Sequence, residues 1–151
     1  MTNKERFLSI CEQQIHREGL PALMAWLEKS DFYEAPASTR YHGNHPGGLL
    51  EHSLNVFDEL NRLRSAFPEV PMSDETAAII SLFHDLCKVN MYQPEKRNRK
   101  TPDGRWEQYD AYSIQEKFCF GGHGSKSVFL VQTFLKLTPE EAVAINCHMG
   151  A

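Results

Sequence analysis

Apolar residues recur at helical spacing along most of this chain. Between residues 3 and 29 they stand at Phe7, Leu8, Cys11, Ile15, Leu23, Met24, Trp26 and Leu27, a spacing that predicts amphipathic helix. The "EGLP" at 18–21 interrupts it, since Gly19 can end one helix and Pro21 can sit in the first turn of the next. Residues 31–48, "DFYEAPASTRYHGNHPGG", carry two prolines and three glycines without a period and read as a loop that packs its aromatics inward. Leu50, Leu54, Phe57, Leu60 and Leu63 then predict a helix over 49–66, ending near Pro68. Ser73 is the expected N-cap of "SDETAAIISLFHDLCKV", read as one helix, with Asp74 and Glu75 at the positive end of its dipole.

After Val89 the pattern changes. Two polar, partly alternating runs flank a Pro-Asp-Gly turn and predict a β-hairpin over about 90–114. Its first arm holds Lys96, Arg97, Arg99 and Lys100. Helical spacing returns in "GSKSVFLVQTFLKL" and in "TPEEAVAINCHMG", where Thr138 caps, Pro139 takes the first position and Glu141 completes a capping box. The expected class is all-α, a helical bundle with one β-hairpin insertion, in a single domain over 1–151.

Composition narrows the functional classes. The 151 residues are 41% apolar and 24% charged, enough for a packed core and ordinary for a globular protein. A net charge of -4 argues against a nucleic-acid footprint over the whole surface. No apolar run is long enough to span a bilayer, and "MTNKERFLSICEQ" lacks a signal core, so the expected location is the cytoplasm, with no membrane partner. Cys11, Cys87, Cys119 and Cys147 form no C-x-x-C pair and are expected to be buried, reduced thiols. There is no Walker loop, nucleophile elbow or dinucleotide fingerprint.

The chemistry lies in the histidines. His52 stands on a helix between apolar neighbours, where a lone imidazole is ordinarily a satisfied core residue. His84 is followed by Asp85, a carboxylate at the end of an apolar run, where burial is costly unless it is paired or metal-bound. Lys88, one turn on, would suit an anionic substrate; the plain alternative is a surface ion pair with Asp85. His123 sits in "GGHGSKS" before a helix, and His148 at the end of another. Imidazole and carboxylate donors on separate helices suit Zn, Fe, Mn or Ni, with Mg also tolerated.

The ordered set "APAS..YHGNHPGGLLEHSLNV", "FHDLCKVN", "GHGSKSV" and "HMG" resembles the HD-domain superfamily of metal-dependent phosphohydrolases, in a bacterial and phage branch, over about residues 30–151. The resemblance implies one or two divalent metals. His52, His84 and Asp85 would hold the first, and Asp85 would bridge to a second held by His123 and His148. Asp85 and Lys88 would be catalytic, with Lys88 contacting phosphate and a metal-activated water attacking it. Cys87 stands where the common "HDxGK" form has Gly, which makes its thiol a candidate for oxidation. The family's last Asp ligand lies on a later helix, and the expectation is that the domain's C-terminal helices fall outside this chain. His42, His45, Arg40 and Lys126 are the further candidates for substrate contact.

The expected function is hydrolysis of a phosphate ester in a small substrate, a nucleotide or related compound. One alternative is a single-strand exonuclease that guides single-stranded nucleic acid along the basic hairpin with Trp106 and Tyr109. The other is a non-catalytic module that binds a metal or ligand.

Overall fold

The structure, a computed structural model, describes residues 1–150. Its elements run α1 (Asn3–Gln14), α2 (Leu20–Lys29), α3 (Gly48–Ala66), α4 (Asp74–Phe83), a 3₁₀ turn (Leu86–Lys88), β1 (Tyr92–Lys100), β2 (Trp106–Ile114), α5 (His123–Gln132) and α6 (Pro139–Asn146). The all-α expectation is thereby corrected. The molecule is mixed, with two nine-residue strands paired antiparallel from Tyr92 opposite Ile114 to Lys100 opposite Trp106. Polar side chains that find no partners along a helix face find them here across the ladder: Lys96 pairs with Asp110, and Arg99 with Glu107 at 2.6 Å. No helix among the described residues is long and apolar enough to cross a membrane.

The core is built where α1, α3 and α4 meet. Phe7, Phe32 and Phe83 are wholly buried, and the Phe7 ring centroid lies 5.0 Å from that of Phe32 and 6.1 Å from that of Phe83. Leu50, Leu54 and Phe57 supply the face of α3 that closes on them. Each such side chain contributes about 1.5–3 kcal/mol on burial.

The caps follow local chemistry. Ser73 Oγ accepts from the Thr76 amide, and Thr138 and Glu141 close a reciprocal box at the start of α6. Gly19, expected to end α1, instead starts α2 in the left-handed region (φ 95°). The 3–29 helix has already broken at Ile15, whose extended backbone ends α1. Of the cysteines, Cys11 and Cys87 are buried, but Cys119 and Cys147 are exposed, contrary to the expectation of burial; Cys119 lies in the connection between β2 and α5, and Cys147 is the C-cap of α6.

One ionic cluster was not foreseen. Glu141 is fully buried and accepts from Arg17, from Thr76 Oγ1 (2.8 Å) and from the Thr138 amide (2.8 Å), while Arg17 also pairs with Glu75 at 2.9 Å. The cluster ties α6 to α4 and to the end of α1. Burial opposes ionisation of Glu141, but Arg17 and the other donors outweigh it and hold the carboxyl below its ordinary range. A group depressed in this way stabilises the fold above its unfolded pKa, near 4.3, and that contribution disappears as pH falls through the lower folded value. Glu141→Ala is expected to cost about 3–5 kcal/mol at neutral pH, because it leaves the Arg17 charge short of its partner. Urea titrations should show this gap at pH 7 and show it narrowing below pH 4; a pH-independent gap would contradict the ionic assignment.

Candidate metal centre

Three separate backbone devices bring the donor groups together. The first is the loop before α3. Its Ala37 amide donates to the Gly43 carbonyl (2.7 Å), and Ser38 Oγ donates to the His42 carbonyl (2.9 Å). A Cβ at Gly48 would stand 2.0 Å from the Gly43 carbonyl oxygen, so only glycine lets this loop close on the start of α3. His52 follows within the first two turns of that helix.

The second device corrects the reading of "SLFHDLCKV" as one helix. α4 stops at Phe83, and Asp85 takes φ −108°, ψ 22° before the 3₁₀ turn. On a continuous helix adjacent side chains diverge by about 100°. Here the helix ends between the two, and His84 Nε2 lies 3.4 Å from Asp85 Oδ2. The tighter 3₁₀ geometry eclipses residues three apart, so Lys88 Nζ comes to 3.1 Å from the same oxygen. This is not the exposed pair of the plain alternative, for the Lys88 side chain is only 12% exposed and Asp85 3%.

The third device is shared by two helix ends. The last carbonyls of a helix lack intrahelical donors. The Ser81 carbonyl receives Nδ1–H of His84, and the Ile145 carbonyl receives Nδ1–H of His148, both at 2.7 Å. A carbonyl only accepts, so each imidazole carries its proton on Nδ1 and turns Nε2 toward the cleft. That is the orientation seen when a second hydrogen bond fixes a metal-binding histidine.

The result is a compact donor set. His52 Nε2 lies 3.2 Å from both His84 Nε2 and Asp85 Oδ2. Donors about 2.0–2.1 Å from a metal in tetrahedral geometry stand about 3.3 Å apart, so His52, His84 and Asp85 form a group that can hold a metal ion. On the other side His148 Nε2 is 3.1 Å from Asp85 Oδ1, yet neither atom has an aligned hydrogen-bond partner although both are buried. Orphaned atoms of this kind fit a site shaped for a cation. Burial opposes ionisation of Asp85, but the three imidazoles outweigh it and hold its carboxyl well below the usual carboxylate range; Asp85 in turn raises His148.

The remaining candidates are distributed differently. His42 is exposed, lines the same cleft and stacks obliquely on His52 with centroids 5.0 Å apart. Arg40 and His45 line a separate depression beside the hairpin, and His45 pairs with Glu51 at 3.3 Å. Lys126 is engaged by Glu116 at 3.0 Å. His123 begins α5, beside the 3₁₀ turn, with a buried Nδ1 that has no partner, but it makes no hydrogen bond or ion pair with the other four donors. Cys87 is fully buried, its amide bonded to Ser127 Oγ (3.0 Å), and burial pushes its thiol up to about 11, so it is protected rather than redox-sensitive. Neither the carbonyls that orient the rings nor the apolar flank of the cleft was anticipated, although a His three residues after a helix's last-turn carbonyl is a signal for the former.

No family model, curated protein or solved structure matches this chain.

His52→Ala and Asp85→Ala are each expected to abolish stoichiometric metal retention in elemental analysis while leaving the far-UV helical signal nearly unchanged. Added metal should raise the melting temperature of the wild type and not of either variant; an equal rise in all three would place the ion elsewhere.

Proposed function

We propose that this protein is a metal-dependent phosphohydrolase of the HD type, cleaving a phosphate ester of a nucleotide or related compound. The observation that carries the reading is the triangle of His52 Nε2, His84 Nε2 and Asp85 Oδ2, with sides of 3.2–3.4 Å, in the wall of a cleft of about 590 Å³ that Lys88 also lines. Zn, Fe, Mn, Ni or Mg would fit such donors. Asp85 is suited to serve two ions, since Oδ2 faces His52 and His84 while Oδ1 faces His148. His123 would join His148 in the second site.

A divalent metal held there supplies a nucleophile at neutral pH by acidifying water, and it offsets charge on the phosphate. The chain's own groups do the rest. Lys88 has three N–H donors and uses one toward Asp85, which leaves two for phosphate oxygens as charge develops on them. The Ser81 and Ile145 carbonyls hold the imidazoles in place, so little reorganisation accompanies the reaction. His42 lines the same cleft and is exposed, so its ring is available to a bound ester.

The hairpin gives little support to a strand-guiding exonuclease. Lys96, Arg97 and Arg99 are matched by Asp110, Glu95 and Glu107, so three of the four cations of the basic arm, all but Lys100, are paired.

A panel of phosphate mono- and diesters should reveal an activity lost with chelator and restored by added Mn²⁺ or another divalent metal. Lys88→Met should lower kcat/KM by roughly 10²-fold with metal content intact. Metal-loaded protein that turns over no ester in the panel would overturn the proposal and leave a binding module.

A further inference from the structure

The cleft is chemically two-sided. Its ionisable donors crowd one end, and the remainder is walled by aliphatic side chains from three helices. The spacing of these groups is systematic. Val56 follows His52 by four residues on α3, Ile80 of α4 precedes that helix's C-cap His84 by four, and Ala144 of α6 precedes His148, in the turn just after that helix, by four. Residues four apart share a helix face. Beside each of the three imidazoles an apolar side chain of the helix that carries or precedes it lines the same space, and Leu60 and Leu63 prolong the α3 row. This row is separate from the core face of α3, where Leu50, Leu54 and Phe57 are 4%, 2% and 7% exposed. Leu63 remains 55% exposed, so the wall is not closed by the fold itself.

Ligand sites generally combine an apolar wall with a few convergent polar groups that set orientation. Here the polar groups suffice for a phosphate and its metal, and the cleft extends far beyond them. Its other polar side chains are few: the Ser81 hydroxyl is buried and donates to the Ala77 carbonyl (2.6 Å), Glu59 pairs with Arg62 (2.8 Å), and Asn55 and His42 are exposed.

We infer that the cleft selects phosphate esters whose organic part is an aromatic or apolar body, seated on Val56, Leu60 and Ile80 with its phosphate toward Lys88. The inference rests on the phosphohydrolase reading for its phosphate end. The apolar side chain beside each imidazole is what joins that end to the wall, which makes the ester's own organic part the occupant.

The test uses two non-hydrolysable probes, phenylphosphonate and methylphosphonate, in calorimetric titrations of the Mn²⁺-loaded protein, so its result does not depend on turnover. Phenylphosphonate should bind at least tenfold more tightly. Leu60→Asn, on the half-buried part of the wall, should erase most of that advantage and leave methylphosphonate binding and metal content unchanged. Leu63→Asn, which is exposed and should not disturb folding, should reduce the advantage in the same direction. Equal affinities for the two probes, or a wild-type preference untouched by both variants, would overturn the inference while leaving the phosphohydrolase proposal to its own ester panel. Failure of both phosphonates to bind would overturn the inference as well. If the panel nonetheless showed metal-dependent turnover, the phosphohydrolase reading would survive it.

Discussion

A carboxylate that water barely reaches stays ionised only when positive or donating groups answer it; Lys88 gives Asp85 one such answer, and nitrogens close on it from four directions. Nitrogens of His52, His84, Lys88 and His148 all stand 3.1–3.4 Å from its two oxygens. Each arrives from a different stretch: α3, the end of α4, the 3₁₀ turn and the end of α6. The arrangement therefore constrains the packing of most of the domain. Two imidazole Nε2 atoms 3.2 Å apart also need a proton or a cation between them, because two lone pairs at that distance repel. The buried charge and the crowded nitrogens pose the same electrostatic problem, and a bound cation resolves both.

The helix ends make this crowding affordable. The Ser81 carbonyl at the close of α4 takes Nδ1–H of His84, and the Ile145 carbonyl at the close of α6 takes Nδ1–H of His148 beside its backbone donors. The same proton that caps the helix determines which nitrogen faces the cleft. Fold stability and ligand geometry are thus served by one hydrogen bond at each site.

Much of the secondary structure was legible because its signals are local. Ser73, Thr138, Pro139 and Glu141 mark helix starts through contacts within three residues, and the Pro-Asp-Gly turn marks the hairpin in the same way. The grouping of His52, His84 and Asp85 could be anticipated from residue type and order. Its geometry could not, because the break after Phe83 has no proline or glycine to announce it. The Arg17–Glu141 tie joins residues 124 positions apart, and periodicity carries no trace of such a pairing. The sequence also showed a basic arm at 96–100 without revealing that the acidic residues of the returning strand lie opposite it. The all-α class failed for a related reason, since it treated the insertion as an accessory to the helices when it forms a sheet of its own.

That hairpin has a consequence for how the chain finds its pairing. Most of its side chains on both faces are in water, so little burial rewards one alignment over another. Opposite charges take over that task. Lys96 faces Asp110 and Arg99 faces Glu107, whereas sliding one strand by two positions would set Arg99 against Arg105. The alignment is therefore written in salt-sensitive ink: concentrated electrolyte would loosen the bookmark that keeps these two ribbons in step, well before it disturbed the greasy interior beneath them.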